Sequence, residues 1–178
     1  MILVIVVLRL FTKLKLLISV FILSISNLFS AESVELTGVH LCCNGCVKAI
    51  DKAVKATGAS SVSDKSEKTV TVTAKDSASM NKALKAVAKA GYYGKSTGDY
   101  QVKQLGSEDK KMKKVALGGF HNCCQKCTVG MTKAVEAVKG VKTHSIAQKK
   151  RDFTVEGDFN LSELLNSINE HGFAVSVK

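Results

Sequence analysis

All six cysteines of this 178-residue chain fall in two short copies of one pattern, His-x-Cys-Cys-x-x-Cys. The first copy runs from His40 through Cys42 and Cys43 to Cys46, and the second from His121 through Cys123 and Cys124 to Cys127. A disulfide framework has to reach across a fold, so its cysteines scatter. Cysteines clustered twice at the same spacing point to a soft-metal site or to redox chemistry, built twice. Thiolates are soft ligands that suit Cu(I), Zn(II) and similar ions. Two cysteines three apart, in a loop that runs into a helix, can aim both sulfurs at one ion. The free N–H groups and positive dipole end of that helix favour the thiolate, and Cys46 and Cys127, expected in the first turn, gain most.

The elements that must hold these loops recur in the same order around each, with Cys43 and Cys124 separated by 81 positions. An apolar-alternating strand comes first, with Val34, Leu36 and Gly38 in copy one and Met112 to Phe120 in copy two. The cysteine loop leads into a helix whose apolar residues are Val47, Ile50 and Val54, or Met131, Val135 and Val138. Gly58 and Gly140 are expected to stop these helices. Two strands follow, the second alternating as Val70-Thr71-Val72-Thr73 or Phe153-Thr154-Val155-Glu156. A second helix turns Met80, Leu84 and Val87 inward, or Leu161, Leu164, Leu165 and Ile168, with Asn160 and Glu163 resembling a capping box. Each copy closes on a glycine, an aromatic residue and a last strand, at Gly91-Tyr92-Tyr93 and Gly172-Phe173-Ala174-Val175. The order βαββαβ, twice, predicts an α+β chain of two tandem ferredoxin-like domains, residues 33–97 and 112–178, joined by a polar linker over 98–111.

Residues 1–30 carry Arg9, Lys13 and Lys15, no Asp or Glu, and an apolar run from Leu16 to Phe29 that ends among small and polar residues. That layout predicts a signal peptide, with an uncleaved membrane anchor as the alternative, and places the rest of the chain outside the cytoplasm, secreted or periplasmic. The whole chain is formally +11, and the remainder without those three cations is +8. Such a surface steers toward anionic lipid or acidic partners; nucleic acid is the least expected partner of an exported chain, and membrane contact is expected only through residues 1–30.

Each copy resembles a heavy-metal-associated domain, the ferredoxin-like module of copper chaperones, of the N-terminal arms of metal-exporting P-type ATPases and of the periplasmic mercury-binding protein. The shared features are the strand, the Cys-x-x-Cys opening helix one, and the Gly-aromatic before the last strand. The resemblance implies a metal-binding protein, with Cys43 and Cys46 in copy one and Cys124 and Cys127 in copy two as ligands, and Tyr92 and Phe173 near the metal loops. It implies one ion per domain, Cu(I) on the family pattern alone and Zn(II) or another heavy metal once this chain's added ligands are counted, sequestered or passed by thiolate exchange to a metal-transporting ATPase or another metal-binding protein. The chain departs from the family pattern in having Cys42 and Cys123 in place of Thr, Leu41 and Asn122 in place of Met, and His40 and His121 in place of Gly. Each loop therefore adds a third thiol and an imidazole, and Cys42, Cys123, His40 and His121 are additional candidate ligands that widen the choice from Cu(I) toward zinc. His144 is expected to be a partly buried or edge histidine, and His171 to lie in a loop within reach of the second cysteine loop.

Other classes fit less well. A thiol-disulfide redox protein using the Cys-x-x-Cys pairs is the alternative function. The chain has no proline and no tryptophan, however, so the cis-proline and tryptophan of thioredoxin-type sites are missing. RNA recognition on this fold needs aromatics on the sheet for base stacking, and in copy one strand three offers only Thr, Val and Ala and strand one, at Val34, Leu36 and Gly38, only apolar or small residues. No Gly-x-Ser-x-Gly, phosphate loop or spaced carboxylate pair is present, so no catalytic residue is expected and the chain is read as a non-enzyme.

Overall fold

The alternation of Val70 and Val72 with threonines gives a strand with one apolar face, and the 3.6-residue spacing of Met80, Leu84 and Val87 gives a helix to cover it. A computed structural model describes residues 31–102 and 109–178; the expected signal segment and part of the expected linker lie outside the described residues. The first unit consists of β1 (Glu32–Thr37), α1 (Asn44–Lys55), β2 (Ser60–Asp64), β3 (Thr69–Ala74), α2 (Ser77–Lys89) and β4 (Lys95–Ser96). The second consists of β5 (Lys111–Gly118), α3 (Gln125–Glu136), β6 (Val141–His144), β7 (Phe153–Asn160), α4 (Leu161–Glu170) and β8 (Ser176–Val177).

The sheets have the orders β2-β3-β1-β4 and β6-β7-β5-β8, antiparallel throughout. The chain thus holds two ferredoxin-like βαββαβ units. Leu36 opposite Val70, and Leu117 opposite Phe153, set the register that turns the apolar face of each central pair toward its helices. Threonines 69, 71 and 73 occupy the other face of β3.

Two local readings change. The buried stripe of α1 is Cys46, Ile50 and Val54, with Val47 only half-buried, so the cysteine itself is a core residue. Gly140 lies beyond the end of α3, which closes at Ala137, rather than capping it. Its φ is +90°, and a Cβ there would collide with the Asp158 carbonyl, so glycine is needed for the close approach of the chain to β7. Asn160 caps α4 with its side chain, accepting from the Ser162 and Glu163 N–H groups at 2.9 and 3.4 Å, while pairing with Lys111 in the β5–β7 ladder. Within the stretch read as linker, Val102 is buried and the Tyr100 hydroxyl reaches the Glu32 carboxylate. No described helix is long and apolar enough to cross a membrane.

Residues Glu32–Lys178 pack as one compact body. The two units meet through their Gly-aromatic turns. Tyr92 and Phe173 form an antiparallel bridge in which Tyr93 N–H donates to the Gly172 carbonyl (3.1 Å) and Ala174 N–H to the Gly91 carbonyl (3.1 Å). Gly91 (φ +95°) and Gly172 (φ +81°) lie so close to the opposite unit that a Cβ on either would overlap backbone atoms, of His121 and of Gly38 and His40 respectively. Phe173 and Tyr92 are fully buried. Burial of the Phe173 ring alone contributes about 2 kcal/mol.

Candidate metal centre

Each cysteine loop is positioned by the strand before it and the helix after it. Val39 and Leu41 are buried in the core of the first unit and Phe120 in that of the second. Asn122, at the place of Leu41, is buried too, but as a hydrogen-bonding anchor. Its Nδ2 donates to the carbonyls of Ala147 (2.9 Å) and Lys150 (2.7 Å), and its Oδ1 accepts from the Thr128 hydroxyl (2.8 Å). A buried amide so fully paired carries little desolvation penalty.

Cys43 and Cys124 are the N-cap residues of α1 and α3, in extended conformation, and neither thiol caps the helix. Cys46 and Cys127 sit one turn in, fully buried, each donating its N–H to the carbonyl of the N-cap cysteine at 3.1 Å. Neither first turn contains an acid, so no carboxylate competes for the positive end of the helix.

Docking of the units brings all six sulfurs into one site. Cys42 Sγ lies 3.6 Å from Cys46 in its own loop, but 3.6 Å from Cys124 and 3.4 Å from Cys127 of the other. Cys43 Sγ is 3.8 Å from Cys46 and 3.5 Å from Cys123. In the second loop Cys127 is 3.8 Å from Cys123 and 3.9 Å from Cys124. All six are free thiols. Ligand atoms of Cys42, Cys43 and Cys46, of Cys43, Cys123 and Cys124, of Cys46, Cys123 and Cys127, and of His40, Cys42 and Cys127 each gather within 4.8 Å, close enough to hold a metal ion.

The histidines cross over. His40 stacks on Phe173 of the other unit (centroids 4.2 Å apart) and His121 on Tyr92 (4.9 Å). Gly130 in α3 leaves room for the first stack, since a Cβ there would stand 3.0 Å from the His40 ring. The Nε2 atoms of both histidines and the Tyr92 hydroxyl are buried without a hydrogen-bond partner. His144 is half-buried at the end of β6, with Nε2 3.4 Å from Glu136. His171 is exposed at the C-terminus of α4, bonded to the Ser167 carbonyl, and lines a cavity of about 540 Å³ together with His40 and Cys42 of the first cysteine loop and Lys126 of the second.

Proximity divides the thiols by acidity. The Cys127 thiol beside it holds Cys46 down, to about 2, with His121 and Cys42 helping against the cost of burial. Cys127 is pushed up by the same partner and by burial. The two behave as one proton-sharing pair, with the acidity shifted toward Cys46. The Cys127 backbone N–H brings Cys124 down to about 7. Burial raises Cys42, and raises Cys123 to about 12. Burial lowers His40, which favours the neutral imidazole that a metal requires.

No family model and no curated protein matches the chain. Among solved structures, the N-terminal soluble domains of Bacillus subtilis CopA are similar at 16% identity, over 85% of this chain and 96% of that one, with a TM-score of 0.32. The first two RRM domains of yeast poly(U) binding protein Pub1 are similar at 11% identity, over 83% and 98%, with a TM-score of 0.24. The chain's own fold and site define a pair of ferredoxin-like units that share one thiol centre.

Proposed function

We propose that this protein is an exported binder of soft metal ions, Cu(I) before Zn(II), that sequesters the ion or relays it to a metal-transporting ATPase or another metal-binding protein. The observation that carries this reading is the gathering of six free thiols at one site, with no carboxylate, among the described residues, in the groups that could hold a metal. A donor set of thiolate with imidazole at its edge selects soft and borderline ions over Mg2+ or Ca2+. Cu(I) is favoured because the sulfurs gather in threes, whereas zinc takes four ligands and would need a fourth sulfur or the imidazole of His40 or His121. Binding and transfer need no catalytic residue, so the protein is read as a non-enzyme. Export rests on the composition of residues 1–30 and is tested by the N-terminus of the mature protein in its cell fraction.

Anaerobic titration of the reduced protein with Cu(I) and with Zn(II), in competition with a chromophoric chelator, tests the reading. Tight uptake of Cu(I) that is lost on replacing Cys43, Cys46, Cys124 and Cys127 with Ser is expected. Absence of uptake, or uptake that survives the four replacements, removes it. The 3.8 Å and 3.9 Å separations within the two Cys-x-x-Cys pairs also favour a redox reading, in which each pair cycles to a disulfide. Turnover in an insulin-reduction assay would support that second reading.

A further inference from the structure

We propose that the six thiols hold one shared cage of about four monovalent soft ions, each ion bound by three sulfurs and each sulfur bridging two ions, an inference that rests on the metal-binding reading above. Cys42, Cys43 and Cys46 form one triad, Cys43, Cys123 and Cys124 a second, and Cys46, Cys123 and Cys127 a third. Cys42, Cys124 and Cys127, with separations of 3.6, 3.4 and 3.9 Å, form a fourth. Every cysteine belongs to two of these triads, and any two triads share one sulfur. That is the connectivity of a sulfur octahedron with ions on alternate faces.

Separate sites, one per loop, fit the geometry less well, because Cys42 is nearer to Cys127 of the other unit (3.4 Å) than to Cys46 of its own (3.6 Å). An ion centred among three sulfurs at about 2.3 Å, the zinc–thiolate bond length, sets them about 4.0 Å apart. Seven of the twelve edges of these triads measure 3.4–3.9 Å and the others lie within 4.8 Å, so the spacings bracket that value. Each sulfur binds as the thiolate, so every thiol still protonated gives up its proton. Six thiolates and four monovalent ions leave two negative charges, and basic residues flank the site on both sides, Lys68 and Lys126 beside Cys42 and Lys149 and Arg151 beside Cys123. The added cysteines, Cys42 and Cys123, complete the cage: between them they supply one corner of every triad.

The test is anaerobic titration of the reduced full chain with Cu(I) alone, read by native mass spectrometry and by copper X-ray absorption. A plateau near four ions per chain, with about three sulfur neighbours and a metal–metal scattering shell, is expected. A plateau at one or two ions without a metal–metal shell overturns the cage and leaves the metal-binding reading standing; no uptake overturns both. Circular dichroism first establishes that the Cys42→Ser, Cys123→Ser double variant is folded. The cage predicts that it loses the metal–metal shell and drops to about two ions or fewer, because all four triads lose a corner. A variant indistinguishable from the parent in stoichiometry and scattering also overturns the cage.

Discussion

At the scale of the residue, the two histidines show how neighbours alter a side chain's role. His40 and His121 stand beside the thiols of their own loops in sequence, yet each imidazole stacks on an aromatic ring of the opposite unit. Such stacking contributes about 0.5–1.5 kcal/mol beyond area burial and helps key the units together. The thiols differ as strongly among themselves, and this sets a pH signature. Metal binding requires thiolates, so protons compete with the ion. Between pH 5 and 8, Cys46 is already ionised and adds nothing to the slope of affinity against pH. Cys42, Cys123 and Cys127, raised above the ordinary thiol range, stay protonated there and make affinity rise with pH throughout. Cys124, brought to about 7, adds its proton to the slope only as pH falls below that value. Cu(I) affinity is therefore expected to climb with pH across the whole range and to climb more steeply below about 7. Chelator competition at half-unit steps from pH 5.5 to 8, with proton release followed in weak buffer, checks it; a flat profile would contradict it.

At the scale of the element, Gly172 and Gly58 separate the cost of a conformation from the cost of a contact. Both have positive φ, +81° and +85°, but a Cβ at Gly58 meets nothing within 4 Å, whereas one at Gly172 overlaps the backbone of the first cysteine loop. Gly58→Ala is expected to cost about 1 kcal/mol with metal uptake unchanged. Gly172→Ala is expected to cost more, and in addition to pry the units apart, lowering Cu(I) affinity and enlarging the molecule in small-angle scattering. Equal effects of the two substitutions on affinity would show that the Gly-aromatic turn does not hold the thiol site together. The elements themselves were legible in the sequence because their signals are local. Period-two alternation marks β3 and β7, helical spacing marks the second helix of each unit, and Asn160 marks the start of α4. The inward turn of Cys46 and Cys127 was harder to see, since Val47 offers a competing apolar stripe and cysteine carries no unambiguous pattern of its own.

In the molecule as a whole, the thiol centre lies where the two units meet within one body. A ligand that binds only when both loops are in place stabilises both units together. At a free-ion concentration 100 times the dissociation constant that stabilisation is about 2.7 kcal/mol. Calorimetry of the reduced protein is expected to show one transition that moves to higher temperature with Cu(I) and returns when a chelator strips the metal. Two transitions, only one of them metal-dependent, would mean that the loops bind separately.

Short-range spacing alone dictates the repeated βαββαβ order, the apolar faces of the strands and helices, and the three thiols and one imidazole of each loop. That the loops meet is a product of long-range packing. That outcome depends on Gly91 and Gly172 allowing backbone approach, on the Tyr92–Phe173 bridge, and on Gly130 admitting the His40 ring. Contacts between residues some 80 positions apart leave no periodic trace in a single chain. The pattern of six cysteines therefore named the chemistry, and the docking of two units turned two loops into one centre.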